Sequence, residues 1–287
     1  MNWVVTSLIM FCASVVYYLI LRVAQLRKIN YRISNIANFS IPAVLYLIIN
    51  VIQHKTIFLP LPMMILLFLS SFFLSYIGAS VSYVALSIAP NSGYSLIIQK
   101  SYAVYTSIAA IFLFHSSLTV IKYIAILIVL VSNAFISVSQ EKTAKKNNYW
   151  WVILSLVSFF CFGTLRLTNK MFVLAGISTT VLLFWTMVFV AFLSVVDYFL
   201  HKERLQLKMP KRDLIVLAGI GLSVTFFYYF LQISEVNAPN IGYVNILNTS
   251  SNAVYTILIA YLFKDKLTRK KVFAVAAATI GIILLVI

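Results

Sequence analysis

Ala89-Pro90-Asn91-Ser92-Gly93-Tyr94 and Ala238-Pro239-Asn240-Ile241-Gly242-Tyr243 are one phrase, A-P-N-x-G-Y, written twice at an offset of 149 residues. At the same offset Ile97, Ser101, Ile108, Phe114, Leu118, Thr119, Lys122 and Ala125 meet identical residues, and Phe11-Cys12 meets Phe160-Cys161. Apolar sequence matches itself by chance through Leu, Ile and Phe. Pro, Asn, Gly and Tyr recurring together at one junction are rarer, so the chain reads as an internal duplication. Proline cannot continue a helix, so the phrase marks the same helix-to-helix junction in each half. A further identity, Ala103-Val104-Tyr105-Thr106 with Ala253-Val254-Tyr255-Thr256, falls at an offset of 150 and reads as coincidence or a local shift.

Around the duplicated phrase the composition is extreme. Of 287 residues, 62% are hydrophobic and 10% charged, with mean hydropathy +1.00. A soluble domain is nearer half apolar and a quarter charged, so that class is excluded. Apolar runs separated by charge, Pro or Asn fall at 3–21, 35–53, 62–88, 92–114, 119–138, 150–170, 179–200, 213–236, 241–263 and 270–287. A helix needs roughly 20 apolar residues to cross a bilayer, and these runs are about twice the length of a barrel strand and lack its period of two. The fold class is therefore an all-α membrane protein of ten transmembrane helices. The N-terminus has no basic region before its apolar run and reads as the first span.

Residues 139–148 form the longest stretch without a bulky apolar side chain, close to the middle of the chain. They divide a first five-helix repeat, 1–138, from a second, 149–287. Five spans begin and end on opposite sides of the membrane, so tandem copies are inverted relative to each other, a ground plan of secondary transporters. Lys and Arg number seventeen in the loops after spans 1, 5, 7 and 9, against four on the other side. By the positive-inside rule the first group is cytoplasmic and both termini face out. This asymmetry accounts for most of the net charge of +16 with no nucleic-acid partner.

Ten spans in five-span halves, the repeated Pro junction, and the half-end Phe263-Lys264-Asp265-Lys266-Leu267-Thr268 before a small-residue helix together resemble the drug/metabolite transporter superfamily, in its EamA-type members. The resemblance covers essentially the whole chain. It implies alternating access around a central cavity lined mainly by spans 3, 4, 8 and 9, with parts of 1, 2, 6 and 7. Two features depart from the family: Phe114-His115-Ser116-Ser117-Leu118-Thr119 lacks the charges usual at that turn, and family termini are commonly cytoplasmic.

Lys100 leads the candidate substrate-binding residues. It lies about 8 residues, or roughly 12 Å, into span 4, and intramembrane lysines usually face a bundle interior or cavity. In span 9, Asn245, Thr249, Asn252 and Thr256 fall on one helical face, where they either line the cavity or bridge helices. Gln99 and Tyr102 in span 4 and Tyr228 in span 8 complete the candidate set, the tyrosines equally serving as packing. Arg166 and Lys170 sit one turn apart near a span end and are expected to snorkel to the interface. Glu235 is the acid nearest an intramembrane position, a loop carboxylate or a coupling group. Ala274, Ala277, Ala278 and Gly281 give the last span a small-residue face for packing within the chain or across a homodimer.

No phosphate loop, metal-spaced Cys or His pair, or acid pair on one face is present in the sequence, so neither enzyme, metal site nor cofactor is expected. The expected function is secondary transport of a small polar or amphiphilic metabolite, anionic or zwitterionic, in a bacterial or archaeal inner membrane. The alternative is translocation of a lipid headgroup or lipid-linked sugar on the same scaffold, with membrane lipid as partner.

Overall fold

The computed structural model describes residues 2–89, 92–137, 149–200, 209–263 and 269–286, and is all-helical. Its helices are α1 (Trp3–Leu26), α2 (Tyr31–Ile52), α3 (Leu61–Ile88), α4 in two segments (Ser92–Lys100 and Tyr102–Phe114), α5 (Val120–Ser137), α6 (Trp150–Leu174), α7 (Thr179–Leu200), α8 (Lys211–Asn237), α9 (Ile241–Phe263) and α10 (Arg269–Val286). Among the described residues six of them, α1 to α3 and α6 to α8, are individually long and apolar enough to cross a membrane. The 139–148 linker, Pro90, Asn91 and 264–268 lie outside the described residues.

Local chemistry sets the ends. Asn2 and Asn30 accept from the amides of Val4 and Arg32, capping α1 and α2. Gly176, at φ +96°, makes the tight α6–α7 turn that a side chain would strain. Charges do not stop these helices: α1 runs past Arg22 to Leu26 and α2 starts before Arg32. A long basic side chain near the interface carries its charge to water while the backbone stays helical.

Two helices are irregular. Residues Ser71–Ile77 of α3 form a π-helical stretch, and α4 is interrupted at Ser101. Such departures within apolar helices often mark working parts.

The packing has the symmetry expected of an inverted pair. Helix α1 lies along α8 and α9, α6 along α3 and α4, α2 along α7, α5 along α10, and α4 against α9. Exchanging the first five helices for the last five turns α1–α8 into α6–α3 and α1–α9 into α6–α4, and returns the remaining pairs to themselves. Close approach is set by glycines: a Cβ on Gly242 of α9 would stand 2.9 Å from the Ser107 Cα on α4. The small-residue face of α10 is occupied inside the chain, since Ala274 and Ala278 are buried and a Cβ on Gly281 would meet Val129 of α5 at 2.6 Å. Large apolar residues such as Ile52, Phe112, Val120 and Phe273 stay exposed, as a lipid-facing perimeter requires.

Candidate functional site

Three charged side chains meet where α6 and α8 run together. Glu235 is fully buried, with its Oε1 3.7 Å from Arg166 Nε. Lys170, one turn beyond Arg166, is also buried and donates to the Ala238 carbonyl at 3.4 Å. Aromatic faces complete the enclosure: the Arg166 guanidinium lies 5.9 Å from the Tyr228 ring centre and the Lys170 ammonium 5.2 Å from that of Phe114. Tyr102 of α4 lies beside Arg166.

The neighbouring backbone explains the closeness. Gly163 sits almost one turn before Arg166, and a Cβ there would stand 2.4 Å from the Tyr105 ring, so only glycine lets α4 approach α6 this far. Ionised groups taken out of water lose several kcal/mol each, and ion pairing, carbonyl donation and cation–π contact offset part of that loss. The group nevertheless holds two cations to one anion.

This corrects the expectation for Arg166 and Lys170 and sets aside the loop alternative for Glu235. Arg166 and Lys170 do not snorkel outward, and Glu235 is not in a loop. Helix α8 continues to Asn237, carrying Glu235 inside the bundle, and α6 runs on to Leu174, leaving Lys170 a full turn short of its end.

Glu235 belongs to a polar column on α8. Tyr228, Gln232 and Glu235 follow at i, i+4 and i+7 and share one face. Both polar atoms of the Gln232 amide are buried without a hydrogen-bond partner, and so are both Glu235 carboxylate oxygens. On α9, Asn245 donates to Thr106 Oγ1 at 3.1 Å but leaves its own Oδ1 unpartnered, as is Asn248 Oδ1. Among the described residues, six buried side-chain polar atoms without a hydrogen bond fall on these four residues of two consecutive helices. Buried polar groups almost always find partners, so this concentration marks a place prepared for something polar.

The structure divides the candidates read from sequence. Tyr102 and Tyr228 come together at Arg166. Thr249 is fully buried and spends its hydroxyl on the Asn245 carbonyl of its own helix at 2.8 Å, Asn245 ties α9 to α4 through Thr106, and Ser251, outside the stripe, bonds Ser14 of α1 at 2.8 Å. The Asn252 and Thr256 side chains lie outside the described residues. Gln99 is buried in a separate polar cluster, accepting from Ser82 at 2.6 Å and donating to Ser95 at 3.0 Å. Lys100 is half-buried at the interruption of α4, and no described contact joins it to the Arg166 group.

A cavity of about 440 Å³ opens between α2, α3 and α7 on the side of the basic loops. A second, of about 270 Å³, shares Tyr31, Asn35 and Tyr83 with it and reaches Tyr17 on α1. Tyr17 stacks on Phe227 at 6.0 Å, next to Tyr228 and the charged group. At the other end hydrogen bonds join α9 to α4 and to the α4–α5 turn. Asn240 donates to the Ser107 carbonyl at 3.1 Å, and Tyr243 donates to Ser117 O at 2.9 Å beneath the Lys122 ammonium. A further cavity of about 360 Å³ lies at that rim, between the α2–α3 and α6–α7 turns.

Residues 149–287 match the EamA-like transporter family. No curated protein matches the chain in sequence. Twenty-nine chains of solved structures match it, among them a crystal structure of a protein that aligns at TM-score 0.81 over 98% of both chains with 13% identity. That likeness concerns the fold.

Proposed function

We propose that the chain, whose residues 149–287 match the EamA-like transporter family, belongs with the EamA-type drug/metabolite transporters and carries a small polar or amphiphilic metabolite across the membrane by alternating access. One observation carries the reading: a buried Arg166, Lys170 and Glu235 group beside amide oxygens without a hydrogen bond, with cavities approaching from the side of the basic loops. Its excess positive charge favours a solute with an anionic group, alone or in a zwitterion. Tyr102 and Tyr228 form the walls, and Gln232 and Asn245 supply hydrogen bonds. Glu235 is the coupling group, giving up Arg166 when the solute's anion arrives or on taking up a proton. Lys100 and Gln99 meet the solute in the alternate state, when α4 moves at its interruption, and Thr249 and Asn252 continue the α9 face.

The test is thermal stabilisation of the detergent-purified protein by anionic, zwitterionic, neutral and cationic metabolites, run beside Arg166→Gln and Lys100→Ala. Stabilisation by an anionic or zwitterionic solute that vanishes in Arg166→Gln supports the site. Equal stabilisation of wild type and both variants disposes of it. A second reading, translocation of a lipid headgroup, draws on the cavity between α2, α3 and α7.

A further inference from the structure

We propose that the cavity at the rim between the α2–α3 and α6–α7 turns is a phospholipid site, in which the Lys55 ammonium holds the phosphate diester of a lipid from the leaflet opposite the basic loops. The site goes beyond transport and does not depend on which solute the carrier moves.

The walls are two tight helix ends. At the end of α2 the His54 and Lys55 amides donate back to the Val51 and Asn50 carbonyls, with His54 at φ 49°. At the end of α6 the Gly176 and Ile177 amides do the same to Val173 and Phe172, with Gly176 at φ 96°. This paired pattern around a left-handed residue closes a helix in a defined shape. The chain beyond Lys55 is pinned as well, since Trp185 of α7 donates its indole N–H to the Ile57 carbonyl at 2.9 Å. Between the two turns lies the cavity of about 360 Å³, within the range of small-molecule sites.

Lys55 carries the unbalanced charge. It is half-buried, lines the cavity and donates to the Thr180 hydroxyl of α7 at 2.9 Å. That hydroxyl donates in turn to Asn50 Oδ1 at 2.6 Å, so Lys55 extends the clamp between α2 and α7. An ammonium has three donors, and this bond uses one. Among the described residues no carboxylate pairs with Lys55. The sequence explains this: of six acids, five lie in or beside the basic loops, and the sixth, Glu235, faces Arg166. A cation held at the edge of hydrocarbon without a counter-charge is costly, and a phosphate at that depth supplies one.

The surroundings select a lipid over a free anion. Leu59, Met63 and Val181 line the cavity, and Phe58, 86% exposed, stands at its edge. Leu61, Ile65 and Leu69 follow at i, i+4 and i+8 on one exposed face of α3, a track along which an acyl chain leads away from the cavity. A free phosphate has to shed water to enter this apolar ring, whereas a lipid phosphate already lies at that depth and its chains bury apolar surface. Thr56, also lining the cavity, adds a hydroxyl donor for the diester oxygens.

The experiment is native mass spectrometry of the detergent-purified full chain, titrated with dioleoylphosphatidylglycerol. A saturable first adduct is expected, at least fivefold weaker in Lys55→Met and back within twofold of wild type in Lys55→Arg. Lys211→Ala, which removes an exposed charge at the start of α8 among the basic loops, stays within twofold of wild type. Dioleoylglycerol, with the same chains and no phosphate, binds wild type at least fivefold more weakly than the phospholipid. Equal affinity of wild type and Lys55→Met overturns the site. So does dioleoylglycerol binding as well as the phospholipid, a comparison that uses wild type alone and holds even where Lys55→Met fails to fold. Displacement of the lipid by equimolar glycerol 3-phosphate or inorganic phosphate makes the site one for a free anion and overturns the lipid as occupant. A matching loss in Lys211→Ala reduces the effect to overall charge and overturns it too.

Discussion

Replacing Glu235 with Gln keeps the shape of the side chain and removes its charge, which isolates what the buried anion does. Arg166 loses its counter-charge at 3.7 Å, and Lys170, buried as well, retains only a carbonyl at 3.4 Å and the face of Phe114. Breaking a buried pair from one side typically costs about 3–5 kcal/mol, because the remaining charge has nowhere to go. With roughly 2–4 °C of melting temperature per kcal/mol in chains of this size class, the loss is about 10 °C. Heating the detergent-purified protein and following the monodisperse peak by size-exclusion chromatography reads this directly. The decisive comparison is a double-mutant cycle with Arg166→Gln, in which the double variant is less damaged than the two singles together by at least about 1.5 kcal/mol. A melting temperature within 2 °C of wild type for Glu235→Gln, or simple additivity in the cycle, refutes an ion pair that holds α6 to α8.

Three other changes probe the scaffold and its orientation. Gly242→Ala drives a methyl into the Ser107 side chain and backbone and costs about 1–3 kcal/mol by overpacking, seen as a lower melting temperature that Ser107→Gly recovers only in part. Asn50→Ala removes the amide that donates to the Thr180 carbonyl at 3.1 Å and the oxygen that accepts from the Thr180 hydroxyl at 2.6 Å; about 1–2 kcal/mol is lost in the same assay, and no change removes this clamp from the account of how α2 and α7 are joined. Lys145→Cys, in a background with Cys12 and Cys161 changed to Ser, reacts with a membrane-impermeant maleimide only after the membrane is opened, whereas labelling of intact cells reverses the orientation drawn from the basic loops.

The helices were legible because bilayer thickness imposes a length that hydrophobic runs reveal, and the duplicated A-P-N-x-G-Y phrase tied the two halves together. Their ends were less so. Arg22 and Arg32 looked like boundaries, yet a charge marks where hydrocarbon stops, and α1 and α2 extend beyond it. The charged group is not legible because Glu235 lies 69 residues from Arg166 in sequence and each member sits near a span end, where snorkelling is the ordinary outcome. The available signal is that Arg166, Lys170 and Glu235 all lie on the poorly charged side of the molecule, near the same ends of two spans of one repeat. Lys100 drew attention for its depth alone, and depth does not say which neighbours a side chain will meet.

The interruption of α4 at Ser101 has no counterpart in the second half: the position 149 residues on, Ser250, lies within the continuous α9. Helix α3 likewise carries a π-helical stretch where α8 stays regular. Two halves built from related sequence therefore hold two different shapes at once. If the halves trade shapes, the bundle arrives at its own mirror-facing form without any new fold. That form has α9 broken at Ser250 and α4 continuous through Ser101. Spin labels flanking Ser101 and Ser250 read this as one distance distribution lengthening while the other shortens. The structural difference between repeats then amounts to a stored record of the opposite state.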